Sequence, residues 1–127
     1  MMRTLLIALV VVAPLSLAHA DKDFTSGKGA TWDCKTDPTV SINHGKGTYT
    51  FKGECKHINV NGGHNTLTIE TVGELDINGA SNTVNVTTVG TINLVGADNK
   101  ISWKKAQSGD KPTISTVGDN NKVTRAK

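Results

Sequence analysis

The sequence predicts an all-β fold, a short-repeat β-solenoid or parallel β-helix-like stack with about 17 residues per coil. Three observations carry that prediction. One template recurs almost without drift: Ile58-Asn-Val60-Asn-Gly62-Gly-His-Asn65-Thr-Leu67-Thr-Ile69, then Leu75-Asp-Ile77-Asn-Gly79-Ala-Ser-Asn82-Thr-Val84-Asn-Val86, then Ile92-Asn-Leu94-Val-Gly96-Ala-Asp-Asn99-Lys-Ile101-Ser-Trp103. Each unit holds two apolar pairs that alternate with polar residues, a strand period with one buried face. No apolar spacing of three and four extends over a dozen residues, so no amphipathic helix is expected. The same hairpin-like units also fit an antiparallel β-roll or barrel, which stands as the alternative fold.

Taken in order, residues 1–20 read as a secretory signal peptide. Arg3 supplies a positive start, Leu5 to Val12 an apolar run, and Ala18-His19-Ala20 a small-residue cleavage site. The apolar run is well short of the roughly 20 residues that span a bilayer. Cleavage after Ala20 is therefore expected, with a secreted or periplasmic location, no transmembrane segment and, lacking a cysteine at Asp21, no lipid anchor. Residues 21–39 read as a polar N-terminal cap, because the first coil of a stack has no neighbour to cover it. Within it, Gly27-Lys-Gly29-Ala-Thr-Trp32 resembles the later Gly45-Lys-Gly47-Thr-Tyr49-Thr-Phe51.

Residues 40–127 form the β-repeat domain. Five coils are expected, with inward ladders Val40/Ile58/Leu75/Ile92/Ile114, Ile42/Val60/Ile77/Leu94/Thr116, Tyr49/Leu67/Val84/Ile101/Val123 and Phe51/Ile69/Val86/Trp103. Val72 and Val89 suggest a third short side. The glycines and asparagines between strands, Gly62/Asn65, Gly79/Asn82, Gly96/Asn99 and Gly118/Asn121, read as a structural turn ladder that supplies positive φ and amide hydrogen bonds. Register breaks once, after Trp103, and residues 104–112 read as an insertion loop carrying Lys104, Lys105 and Lys111. Cys34 and Cys55, in an exported chain, read as one disulfide. Open coil ends invite stacking between copies, while the charged tail Arg125-Ala-Lys127 opposes it.

These Gly-x-x-Asn-x-apolar-x-apolar units, together with Trp103 and the leader, resemble the bacterial domain-of-unknown-function 3060 family over residues 40 to 125. The resemblance implies an exported β-rich protein. It implies no catalytic residue and no ligand.

Composition narrows the function classes. The chain has 127 residues and a formal net charge of +3, too mild for a nucleic-acid binder. Aromatic residues are 4% of the chain, too few for a stacking platform. His44, His57 and His64 are the nearest thing to a metal constellation. His44 and His64 fall in the turns of consecutive units, with His57 at a strand edge and no carboxylate or cysteine beside them in the template apart from Glu54 and the disulfide-forming Cys55. The outward column Ser41, Asn59, Asp76, Asn93 and Ser115 holds one acid, Glu70, Glu74 and Asp76 read as a solvated edge, and no pair of carboxylates for glycoside chemistry is expected on the same face of adjacent coils. The Thr66/Thr68 pair decays to Thr83/Asn85 and Lys100/Ser102, unlike the repeated threonines of an ordered-surface binder. The expected function is therefore a non-catalytic binding or structural protein of the cell envelope or extracellular space, needing no cofactor. Its partner would be an envelope polymer, an anionic surface or another protein, met through the lysine loop or a flat Thr/Asn face. A small carbohydrate-active β-helix enzyme is the alternative.

Overall fold

The computed structural model describes residues 22–127, so the leader read over residues 1–20 lies outside the described residues. Nine strands follow in order: β1 (Lys22–Phe24), β2 (Ala30–Asp33), β3 (Thr39–Ile42), β4 (Thr48–Asn61), β5 (Thr66–Ala80), β6 (Thr83–Ala97), β7 (Lys100–Ala106), β8 (Thr113–Val117) and β9 (Lys122–Arg125). Each of the eight strand pairings is parallel. That topology is a β-solenoid and corrects the antiparallel roll or barrel, in which adjacent strands would run in opposite directions. The long strands β4, β5 and β6 each leave one coil and enter the next, and the β4–β5 ladder shifts register once, between Phe51 and Glu54.

Alternation along each strand places both apolar side chains of a pair inside and the polar residue between them outside. In register, Val40, Ile58, Leu75, Ile92 and Ile114 form one ladder, and Ile42, Val60, Ile77, Leu94 and Thr116 form the next. Tyr49, Leu67, Val84, Ile101 and Val123 line the second side beside Phe51, Ile69, Val86 and Trp103. Cys55, Val72, Val89 and Ala106 form the third side. Most of these side chains are fully buried in one continuous core. Each such burial stabilises the fold by about 1.5–3 kcal/mol before entropy is counted.

The turns work differently from the expectation that Asn65, Asn82, Asn99 and Asn121 hold positive φ. The left-handed conformation belongs to the residue just before each: His64, Ser81, Asp98 and Asn120, with φ between 57° and 61°. The asparagines instead turn their amides inward along the stack. Asn82 Nδ2 donates to Gly62 O at 2.9 Å and to Asn99 Oδ1 at 3.0 Å, and Asn65 N donates to Asn82 Oδ1 at 3.1 Å. Asn99 and Asn121 repeat the arrangement one coil on.

The stack has six coils rather than five. Lys22–Phe24 pairs with Val40–Ile42, and Ala30–Asp33 pairs with Tyr49–Lys52, so the cap segment is itself a short coil. Its interior is aromatic. The Phe24 ring centroid lies 5.2 Å from Tyr49 and 6.0 Å from both Trp32 and Phe51. Burial pushes the Tyr49 phenol above its usual range. Both terminal coils put a cation at an inward register position. Lys22 Nζ sits 4.9 Å from the Trp32 ring centre, and the Arg125 guanidinium 5.2 Å from that of Trp103. Such cation–π contacts let a polar residue stand over the apolar ladder in the first and last coils described.

Cys34 and Cys55 are buried and bonded to each other across 21 residues, tying the first coil to the third side. Closing a loop of that length stabilises by about 3 kcal/mol in the chain-entropy treatment. Cys34→Ala/Cys55→Ala is expected to lower the unfolding free energy by that amount in a urea melt. A loss under about 1 kcal/mol would mean that the aromatic cluster alone holds the first coil.

The insertion is shorter than residues 104–112. β7 continues through Ala106, which pairs with Val89 and fills the third-side ladder. Lys104 and Lys105 therefore lie on a strand, and the irregular loop is residues 107–112, with Lys111 exposed and Pro112 buried. Gln107 N donates to Val89 O at 3.0 Å, anchoring the loop to the preceding coil. Beyond it the last coil is thinly covered: Ile114 is 40% exposed and Val117 59%.

Candidate functional site

The outer face of the second side is built by the residues that alternate with Val84, Ile101 and Val123. Strand pairing stacks Thr48, Thr66, Thr83, Lys100 and Lys122 in one column, and Thr50, Thr68, Asn85, Ser102 and Thr124 in the next. At the C-terminal half this surface hollows into a shallow groove lined by Thr83, Asn85, Lys100, Ser102, Lys122 and Thr124. Lys104 follows Ser102 on the same alternating face of β7 and is exposed. Lys105 pairs with Thr88 on the third side, and Lys111 stands in the loop. The structure therefore splits the three loop lysines, and stacks Lys100 on Lys122 in the groove, with Lys104 four residues further along β7 and outside it.

Neighbouring coils are about 4.8 Å apart, so Lys100 and Lys122 are stacked like charges, an arrangement that costs stability. None of Lys100, Lys104 and Lys122 makes an ion pair among the described residues. Lys122 lies on the last strand, where a charge also discourages edge pairing. Lys100 is one strand in, where that purpose does not apply.

The histidines do not converge as the sequence suggested. His44 Nδ1 lies 2.8 Å from Gly45 O. His64 takes the left-handed turn position, two columns over from the turn glycines that His44 stacks on. His57 instead joins two carboxylates on the outer face of the first side. It is in register with Glu74 on the next coil, and its Nε2 lies 2.6 Å from Asp76 Oδ2. One ligand-type atom from each of His57, Glu74 and Asp76 lies within 4.8 Å of the others. This corrects the expectation that Glu54 is the one carboxylate beside the histidines; Glu74 and Asp76, which read as part of a solvated edge, lie two residues apart on one coil. The signal was present in the spacing, since the residue 17 positions after His57 is Glu74.

Asn93 from the following coil steadies the pair. Its Nδ2 donates to Asp76 Oδ1 at 2.7 Å and to Glu74 Oε1 at 3.2 Å. The cluster lies on an open sheet face. Neither the groove at Lys100 nor a second hollow lined by Pro38, Glu54, Cys55, Lys56, Gly73 and Gln107 includes it.

The family described as "Protein of unknown function (DUF3060)" matches residues 42–85 and 60–120, more than half of the chain. The chain belongs to this family. The matched stretch contains three of the four turn glycines and asparagines in their stacked columns, and the fourth glycine as well. It also contains the His57–Glu74–Asp76 cluster, Lys100 and Lys104, so both candidate surfaces fall largely within the family fold. No curated protein and no solved structure matches the chain. Among the described residues no helix is long and apolar enough to cross a membrane.

Proposed function

We propose that this DUF3060-family chain is an exported, non-catalytic binding protein of the cell envelope or extracellular space, and that it engages an anionic polymer. The observation that carries the reading is the groove over β6, β7 and β9, with Lys100 stacked on Lys122 among Thr83, Asn85, Ser102 and Thr124. An acidic polysaccharide laid across the coils would neutralise the stacked ammonium groups, while the hydroxyls and the amide would accept and donate to sugar hydroxyls. Export is supported by the leader pattern at residues 1–20 and by a disulfide, a bond that persists in oxidising compartments.

The test is binding of the protein to polygalacturonate, with neutral dextran as control. Lys100→Ala/Lys122→Ala is expected to weaken binding about tenfold, equivalent to 1.4 kcal/mol, and to flatten its salt dependence. Equal binding to dextran, or an unchanged double variant, overturns the proposal. The second reading, a carbohydrate-active enzyme, gains support from the Glu74 and Asp76 carboxylates on one face, a closeness resembling retaining glycosidases. Release of new reducing ends from the polymer, lost in Glu74→Gln, would move the assignment to that reading.

A further inference from the structure

We infer that His57, Glu74 and Asp76 form a divalent transition-metal site on the first side of the solenoid, of the kind that takes Zn2+. This goes beyond the polymer-binding surface, which lies on another side of the coil and shares none of these residues.

The repeat itself assembles the donors. Parallel register sets His57 beside Glu74, one coil spacing apart. Asp76 is two residues further along the same outward face, since Leu75 between them points into the core. The three side chains meet above the sheet, with one donor atom from each within 4.8 Å of the others. One imidazole nitrogen and two carboxylate oxygens are a donor set that suits Zn2+ and its neighbours in the first transition row. The His57 side chain is 38% exposed and that of Asp76 23%, which leaves the remaining coordination positions open to solvent.

The surroundings favour a cation over a plain ion pair. His57 meets one oxygen of Asp76, and the Glu74 carboxylate close by has no basic partner among the described residues. Asn93 donates one amide nitrogen to both acids, holding Asp76 Oδ1 and Glu74 Oε1, while Asp76 Oδ2 meets His57 and Glu74 Oε2 has no hydrogen bond among the described residues. Outer hydrogen bonds of that kind orient metal ligands. Asn59 is in register with Asp76 and two residues after His57, and its buried Oδ1 has no hydrogen-bond partner, so the described side chains leave the hydrogen bonding beside the cluster incomplete.

The geometry needs one small adjustment. Bonds of about 2.0–2.2 Å to a tetrahedral ion set its ligand atoms about 3.4 Å apart. His57 Nε2 and Asp76 Oδ2, now 2.6 Å apart, would separate by a fraction of an ångström through side-chain rotation. The backbone ladder would not move.

The test is titration of the purified protein with Co2+, read by its visible absorption, and with Zn2+, read by calorimetry and by melting temperature. One equivalent of Zn2+ is expected to bind and to raise the melting temperature. His57→Ala and Asp76→Asn should each weaken binding at least tenfold and abolish that rise, with far-ultraviolet circular dichroism unchanged because both side chains point outward. His44→Ala/His64→Ala should bind as the parent does. Absence of stoichiometric binding in the parent overturns the assignment. So does binding that survives His57→Ala/Asp76→Asn, or binding lost in the turn-histidine variant. Lys100→Ala/Lys122→Ala should leave the metal titration unchanged, so failure of the polymer reading and of this one are separable.

Discussion

Gly96→Ala is expected to prevent stable folding. Gly62, Gly79, Gly96 and Gly118 form one column at the turn, with φ between 113° and 157°. A Cβ at Gly96 would stand 1.7 Å from the carbonyl oxygen of Gly79 in the coil below. That oxygen cannot retreat easily, because it accepts from Asn99 Nδ2 at 2.9 Å. Gly79 and Gly96 are also register partners inside the longest continuous pairing of the sheet. The overlap therefore pushes two coils apart where the ladder is otherwise unbroken. A loss of more than about 4 kcal/mol is expected, against a whole-domain stability of roughly 5–15 kcal/mol. Gly109→Ala is the control. Its φ is 72°, yet a Cβ there would meet nothing within 4 Å. Backbone strain alone should cost it about 1–2 kcal/mol. Urea melts of the two variants separate steric overlap from glycine entropy, and equal midpoints would refute the overlap.

The same column explains how much of this protein is legible in its sequence. The inward ladders can be written down because a period-two strand inside a fixed repeat leaves one residue for each place. Trp103 must stack on Val86, and Cys55 on Val72, once the coils are set under one another. The first coil was hidden because only Phe24 marks its first strand. Lys22 occupies an inward position there, which is tolerable only because two aromatic rings receive its ammonium. The reach of β7 was hidden because Lys104 and Lys105 look like loop residues, although Ala106 continues the valine ladder of the third side. The His57 cluster was hidden for another reason. Its members are remote in the chain but adjacent in register, and sequence proximity had grouped His57 with the turn histidines. The carbonyl-to-glycine approach could not be read at all, since a repeated glycine signals positive φ without saying which atom it must clear.

Asn82→Ala should rank next in cost. Asn82 is fully buried, and its amide serves three neighbours across two coils. Truncation leaves Asn65 N without an acceptor and removes the side-chain donor from Gly62 O. Asn99 Oδ1 keeps a partner, because Asn82 N still donates to it at 3.0 Å. One buried and one half-buried backbone group stranded at about 1–3 kcal/mol each give a loss of roughly 2–6 kcal/mol. Asn121→Ala removes the same type of amide, with its bonds to Asn99 and to Gly96 O. Its position in the half-covered last coil lets water replace those bonds, so about 1 kcal/mol is expected. Urea melts should order the two variants that way, and amide exchange at Asn65 should accelerate in Asn82→Ala by more than at any inward strand residue. If the two substitutions cost the same, the asparagine column is only a turn-forming device, and the stack is held by its aliphatic ladders alone. If Asn82→Ala costs several times more, the amides are a hydrogen-bonded spine that couples each coil to the next. The strength of the spine would then follow from burial, which water-accessible Asn121 lacks and Asn82 has in full.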